Sequence, residues 1–303
     1  MRHAFPVIPI AILVLLAACT AVPAGSGQVS ANPSVSPTGT PPLAPYLVRL
    51  TTRSAIGPEA AFGQLSALVI SRDRTVVSPG PVPAIYPGPL VTPLIGRLIS
   101  AAGLARIIAE ARALGLAGGG SFAPETSAPG AAVTTIELWL DGRLVTLSGD
   151  AEAHIVCIRA PCDPAAGTPA AFGSFARHLA DLSTWMPEDL GPDALWSPAG
   201  YAVLLNVTPP GPMLPGSGVL VWPLEATRPL ASFGVPVGGA ASVLRCGLVR
   251  GEEAGALGPL LAGATTLTQW IATPATSASH TLAARPLIAG EDPCAEFFGV
   301  PAA

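Results

Sequence analysis

The chain has 303 residues, of which 50% are hydrophobic and only 11% charged, with a formal net charge of -4. A typical soluble domain carries about a quarter charged residues, so this chain is poor in solvating charge, yet too apolar for the disordered class. All 15 basic residues are Arg and none cluster, which excludes the concentrated positive face that nucleic acid binding needs.

At the N-terminus, Arg2 and His3 precede an apolar run over residues 4–16, the layout of a secretory signal. Thirteen residues are too few to span a bilayer as a helix, and Pro6 and Pro9 interrupt the run. Leu16, Ala17, Ala18 and Cys19 follow, and this box resembles the lipobox of bacterial lipoproteins. The resemblance implies that residues 1–18 are a signal peptide and that Cys19 is the lipidation site, with acyl chains holding the protein on the cell membrane, facing the extracytoplasmic side. At about 0.8 kcal/mol per buried methylene, two or three chains make a lasting anchor. The C-terminal run from Arg285 to Cys294 is similar to the ends of uncharacterised lipoproteins of GC-rich bacteria, a resemblance that implies no activity; a GC-rich coding bias also accounts for the Arg, Ala, Gly and Pro content.

Residues 19–45 form the lipidated Cys and a tether. From Thr20 onward this stretch has six Pro, three Gly and seven Ser or Thr, with no charge and no aromatic ring, and it reads as a disordered spacer of roughly 30 Å end to end. The remainder is long enough for one large domain or two small ones. Once Cys19 is assigned to lipid, Cys157, Cys162, Cys246 and Cys294 remain, an even count that permits three pairings in an oxidising compartment. Cys157 and Cys162 are close in sequence around Pro161, which pairs them and leaves Cys246 with Cys294.

Residues 46–52 and 65–71 read as strands, and 75–78 as a hairpin partner after the polar Arg72, Asp73, Arg74 turn. A Pro-rich connection over 79–89 follows. Thr92 and Pro93 then supply a helix cap and first position, with Leu94, Ile95, Leu98, Ile99, Ala102, Ile107, Ile108 and Ala111 at helical spacing up to Gly115. Residues 134–140 and 143–148 flank Asp141 and Gly142, a dipeptide suited to a type I′ hairpin. Thr168 and Pro169 open a helix with Phe172, Phe175, Leu179 and Leu182 on one stripe, and 201–207 is a further strand. The Pro/Gly-rich stretch 208–218 is the candidate boundary between an N-terminal α+β domain, 46–208, and a C-terminal α+β subdomain, 219–303. Beyond it, 219–224, 243–249, 267–272 and 281–287 read as strands and 252–264 as a helix disturbed by Pro259. The expected class is α+β, with antiparallel sheets built from hairpins and amphipathic helices packed on one face; the recurring order raises a repeated hairpin-helix unit.

Chemistry is sparse. His154, Cys157 and Cys162 could begin a zinc site, but a fourth donor is missing and exported thiols oxidise, so no metal is expected. Gly216, Ser217 and Gly218 lack nucleophile-elbow spacing, and Gly118, Gly119 and Gly120 follow a helix instead of opening one, so they form no phosphate cradle; no cofactor is expected. Glu252 and Glu253 complement a helix N-terminus, and they join Glu188 and Asp189 as adjacent carboxylates without a catalytic arrangement. Among the five Trp, Trp139, Trp222 and Trp270 read as core, while Trp185 and Trp196 are the candidates for exposure. The Pro-rich segment around Tyr86 reads as a loop covering the sheet, with a binding loop as the alternative. The sequence thus points to a lipid-anchored binding or envelope-interaction module whose partner is an envelope protein or glycan, not to an enzyme. The alternative is an envelope-associated hydrolase, which would bring His154, His178 or His280 together with Asp, Glu or Ser in a concave pocket.

Overall fold

The computed structural model describes residues 45–54, 57–122, 132–150, 165–208, 217–238, 242–275, 278–288 and 290–300. The expectations for residues 1–44, including Cys19, and for His154, Cys157 and Cys162 therefore lie outside the described residues.

Residues 43–303 form one unit with two sheets. The first half contributes β1 (Tyr46–Arg53), α1 (Pro58–Phe62), β2 (Leu68–Ser71), β3 (Thr75–Pro79), β4 (Leu94–Leu98), α2 (Ala101–Ala113), β5 (Gly120–Ser121), β6 (Val133–Leu140), β7 (Arg143–Asp150), α3 (Pro169–Ala180), α4 (Leu182–Trp185) and β8 (Ala194–Trp196). The eight strands lie in the order β5-β7-β6-β1-β2-β3-β4-β8. Alternation in β1 and β6 sends Val48, Leu50, Ile136 and Leu138 to one face, where they meet Ile107 and Ala111 of α2 and Phe172, Phe175 and Leu179 of α3. The β6–β7 turn is the expected one: Asp141 and Gly142 both have positive φ, 49° and 77°, as a type I′ turn requires. Thr168 caps α3 as anticipated, its Oγ1 accepting from the Ala171 N–H at 3.2 Å.

The helix expected from Thr92 is a correction. The chain first extends as β4, in which buried Leu94 and Gly96 alternate with half-buried Ile95 and Arg97, and it pairs with β3 from Thr75↔Leu98 to Pro79↔Leu94. Only then does α2 begin, capped by Ser100, whose Oγ accepts from the Gly103 N–H at 2.8 Å. Leu94, Ile95, Leu98 and Ile99 satisfy either period over so short a run, and the ladder offered by β3 decides it.

The second sheet is built from β9 (Gly200–Asn206), β10 (Val219–Val221), β11 (Val235–Pro236), β12 (Leu244–Arg250), β13 (Gln269–Ile271) and β14 (Ser279–Pro286), in the order β10-β13-β14-β9-β12-β11. β9 lies between β14 and β12, so the sheet takes an inner strand from before the Pro/Gly-rich stretch. Its faces alternate cleanly. Val203 and Leu205 pack with Leu282, Ala284 and, from α5 (Gly251–Gly263), Leu257 and Leu261, beside the buried Trp222 and Trp270. Ala202 and Leu204 turn to the opposite face, where Leu248, Leu287 and Phe62 of α1 meet Cys294 of α6 (Pro293–Phe298).

The α+β class holds, with three corrections of detail. The sheets are mixed, because β5 runs parallel to β7 and β10 parallel to β13. The second sheet is covered by helices on both faces, not one. The hairpins are not equivalent units either, since β4 intervenes between β3 and α2 while β7 has no such strand before α3.

Two features tie distant parts together. A disulfide joins Cys246 of β12 to Cys294 of α6, with Cα atoms 5.7 Å apart and both residues fully buried. Beside this layer, the Arg285 guanidinium of β14 donates to the Glu291 carboxylate at 2.8 Å and to the Gln64 carbonyl at 2.9 Å. Glu291 also accepts from Ser66 Oγ at 3.0 Å and from the Ile288 N–H at 3.2 Å. The pair is 3% and 2% exposed, so the connection between α1 and β2 is locked to the end of β14 by buried charge.

Candidate functional site

A groove of about 710 Å3 lies between the two sheets. One wall is residues 91–94, where the Pro-rich connection enters β4; the other is β8 and the turn to β9, with Leu195 and Trp196. The floor is α5. In that helix Gly251, Gly255, Gly258 and Ala262 recur at spacings of four, three and four, so they share one face. Small residues along that face leave a trough that larger side chains would fill. A Cβ at Gly251 or Gly255 would meet nothing within 4 Å, whereas at Gly258 it would stand 2.8 Å from the Tyr201 hydroxyl. Trp196 packs against Gly96 of β4, where a Cβ would stand 3.0 Å from its ring.

The chemistry of the groove is apolar. Its lining includes no charged residue. Tyr201 supplies the phenol at the floor; burial pushes it above its ordinary range, so it is neutral near pH 7 and available as a hydrogen-bond donor and acceptor. Val91, Pro93 and Ala262 also line a second cavity of about 370 Å3 on the far side of the Pro-rich connection, with Ile85 and Pro87. Thr92 and Pro286 are shared with a third cavity of about 280 Å3 that reaches between the sheets to Leu65 and Leu90. Around this system stand Leu195, Tyr86 and Ile85, exposed by 81%, 80% and 64%. Large apolar side chains held in water beside an apolar cleft are the mark of an interaction surface.

The residues singled out in the sequence fall into separate places. Trp196 is half-buried on the groove wall, and the Tyr86 segment lines the neighbouring second cavity through Ile85 and Pro87. Trp222 and Trp270 are core, as expected, while Trp139 is half-buried beneath Arg72, 5.0 Å from its ring centre. Trp185 is half-buried away from the groove, stacked on His178 with ring centres 4.6 Å apart. His178 Nδ1 is 3.5 Å from a Glu110 carboxylate oxygen; burial lowers its pKa and Glu110 partly opposes that. His280 sits on β14 opposite Trp270, its pKa also lowered by burial. His178 and His280 are thus on different layers, and neither lines the three cavities. Glu252 and Glu253 occupy the first turn of α5, where their charge suits the helix N-terminus.

Among the described residues no group of three or more His, Cys, Asp or Glu is placed to hold a metal ion, and no helix is long and apolar enough to cross a membrane. The α5 stripe was missed by sequence reasoning although its spacing is visible; nothing in the sequence shows that this face lacks a packing partner. Compared with known proteins, the chain matches no family model, no curated protein and no solved structure.

Proposed function

We propose that this chain is a lipid-anchored extracytoplasmic binding module, tethered through Cys19, that takes an uncharged apolar segment of an envelope partner into the groove between its sheets. The observation that carries the reading is the groove itself: about 710 Å3 without a charged lining residue, floored by the glycine face of α5 and rimmed by the exposed Leu195. Its volume lies in the range of ligand sites, and a few neutral hydroxyls among the apolar lining, those of Tyr201, Thr92 and Ser197, can orient an occupant. A glycan partner is less well served, because Trp222 and Trp270 are buried and only Trp196 borders the groove. The lipobox resemblance supplies the anchor and the compartment.

The test is Gly255→Leu in the full-length chain held in mild detergent, probed with the uncharged apolar fluorophore N-phenyl-1-naphthylamine. Leu fits the helix and projects into open space at that position. Replacing an exposed helical Gly stabilises by up to about 0.8 kcal/mol, so the variant should unfold no earlier than the parent. Dye binding should weaken by about tenfold or more. Equal binding by both proteins, or no saturable binding by the parent, would refute the groove as the binding site.

A further inference from the structure

β14 has two sides, and only one is fully used. Along residues 281–286 it pairs with β9, from Thr281↔Asn206 to Pro286↔Tyr201. On its other side β13 pairs only at Trp270↔His280 and Ile271↔Ser279. Between Leu282 and Pro286 no strand among the described residues lies on that side.

The ladder phase says which backbone groups are left over. The Leu287 N–H donates to the Gly200 carbonyl at 2.9 Å, which sets this pair at a hydrogen-bonded position of the ladder. Such pairs alternate along an antiparallel ladder. Thr281, Ala283 and Arg285 therefore bond to β9, while Leu282 and Ala284 turn their N–H and C=O groups to the opposite side. Pro286 shares that phase, and it occupies a position where the absent N–H costs no ladder bond.

What faces those groups is the cavity of about 280 Å3, lined on the β14 side by every residue from Leu282 to Pro286 and opposite by Leu65, Leu90, Thr92 and Thr266. Leu282 and Ala284 are each only 7% exposed, so this is a strand edge held inside a slot, not on an open surface. Buried backbone donors and acceptors require partners. One wall residue adds to the demand: Arg285 is 3% exposed, and its Nε has no hydrogen-bond partner. Its charge is already met by Glu291, so the slot suits a neutral carbonyl better than an anion.

We infer that the slot accepts the extended backbone of an uncharged peptide segment from a partner protein, which adds as a strand along Leu282–Pro286. The inference rests on the groove reading above, because the slot and the groove share Thr92 and Pro286 in their walls. It goes further in naming the ligand chemistry. Main-chain hydrogen bonds to Leu282 and Ala284 supply the recognition, and alternate side chains of the segment extend over the apolar lining.

The experiment compares two probes on the full-length chain in detergent: an acetylated, amidated hexapeptide of alternating Val and Thr, and the same peptide N-methylated at alternate residues. N-methylation removes backbone donors while keeping the peptide uncharged and apolar. The plain peptide is expected to bind and to displace the naphthylamine dye, with the methylated one weaker by about tenfold or more. Amide exchange at Leu282 and Ala284 should slow when the plain peptide is added. Ala284→Pro, which removes the outward N–H without touching the β9 ladder, should abolish peptide binding; the exchange measurement on the parent decides the matter if that variant misfolds. Equal binding of the two peptides, failure of both, or unchanged exchange at both amides overturns strand addition. If the dye still binds the parent and is lost in Gly255→Leu, the groove reading survives that failure.

Discussion

Glu291→Gln isolates the buried charge between the halves of the molecule. The glutamine keeps an acceptor for Ser66 Oγ or the Ile288 N–H but removes the negative charge from Arg285, which is 3% exposed and held also by the carbonyl of Gln64. A guanidinium so enclosed cannot reach water to replace the lost partner. Breaking one side of a buried pair costs about 3–5 kcal/mol, whereas replacing both partners with apolar groups is often near neutral. At about 2 °C per kcal/mol for a domain of this size, the Glu291→Gln midpoint should fall by about 6–10 °C. The double variant Arg285→Met with Glu291→Leu should recover part of that loss, offset by the carbonyls of Phe62 and Gln64 that Arg285 no longer serves. Urea unfolding of the parent, the Arg285→Met and Glu291→Leu single variants and the double variant, with the disulfide intact, gives the coupling directly. A Glu291→Gln protein within about 0.5 kcal/mol of the parent, an ordinary result for a surface substitution, would refute the argument, as would a double variant whose cost equals the two singles added.

Replacing Cys246 and Cys294 together by Ser should cost about 4 kcal/mol on the chain-entropy model for a separation of 48 residues; an unchanged urea midpoint would contradict it. Burial lowers the pKa of His178 from 6.5, so its contribution is full above that pH and declines as pH falls through 6.5 toward the lowered value. Glu110→Gln removes the charge that partly opposes the shift, so the His178 midpoint measured by NMR should move further down; an upward move would reverse the assigned cause. Cys19→Ala should abolish labelling by a long-chain acyl probe, and persistent labelling would exclude the proposed anchor.

Sequence alone reached those elements whose signal is local. Thr168 with Pro169, and Asp141 with Gly142, carry their caps and turns within a few residues, and both stand where expected. The pairing of Cys246 with Cys294 was likewise accessible by counting. Residues 94–99 misled because four apolar residues at helical spacing also alternate acceptably, and only the edge of β3, distant in sequence, selects the strand. β5, two residues long, is too short to show any period; β10 lies within the strand expected over 219–224, but its parallel pairing with β13 joins segments some fifty residues apart that no local pattern links. The groove was partly legible: Tyr86 and Trp196 drew attention as residue types, but the floor depends on which face of α5 has no neighbour, a property of packing and not of spacing.

The place of β9 imposes an order on assembly. Synthesis proceeds from the N-terminus, and earlier parts of a chain can begin to fold first. The first sheet draws every strand from residues 46–196 and can close while the remainder is still being made. β9 cannot complete its ladders then, because β12 and β14 arrive 38 and 73 residues after its last residue, Asn206, counted to Leu244 and Ser279. Until that moment Val203 and Leu205, both fully buried in the finished protein, are apolar surface on an unpaired strand. A chain cut anywhere before Pro286 keeps that strand incomplete, so nascent-chain length should govern aggregation in a step located near residue 286, well after the first half has become resistant to protease.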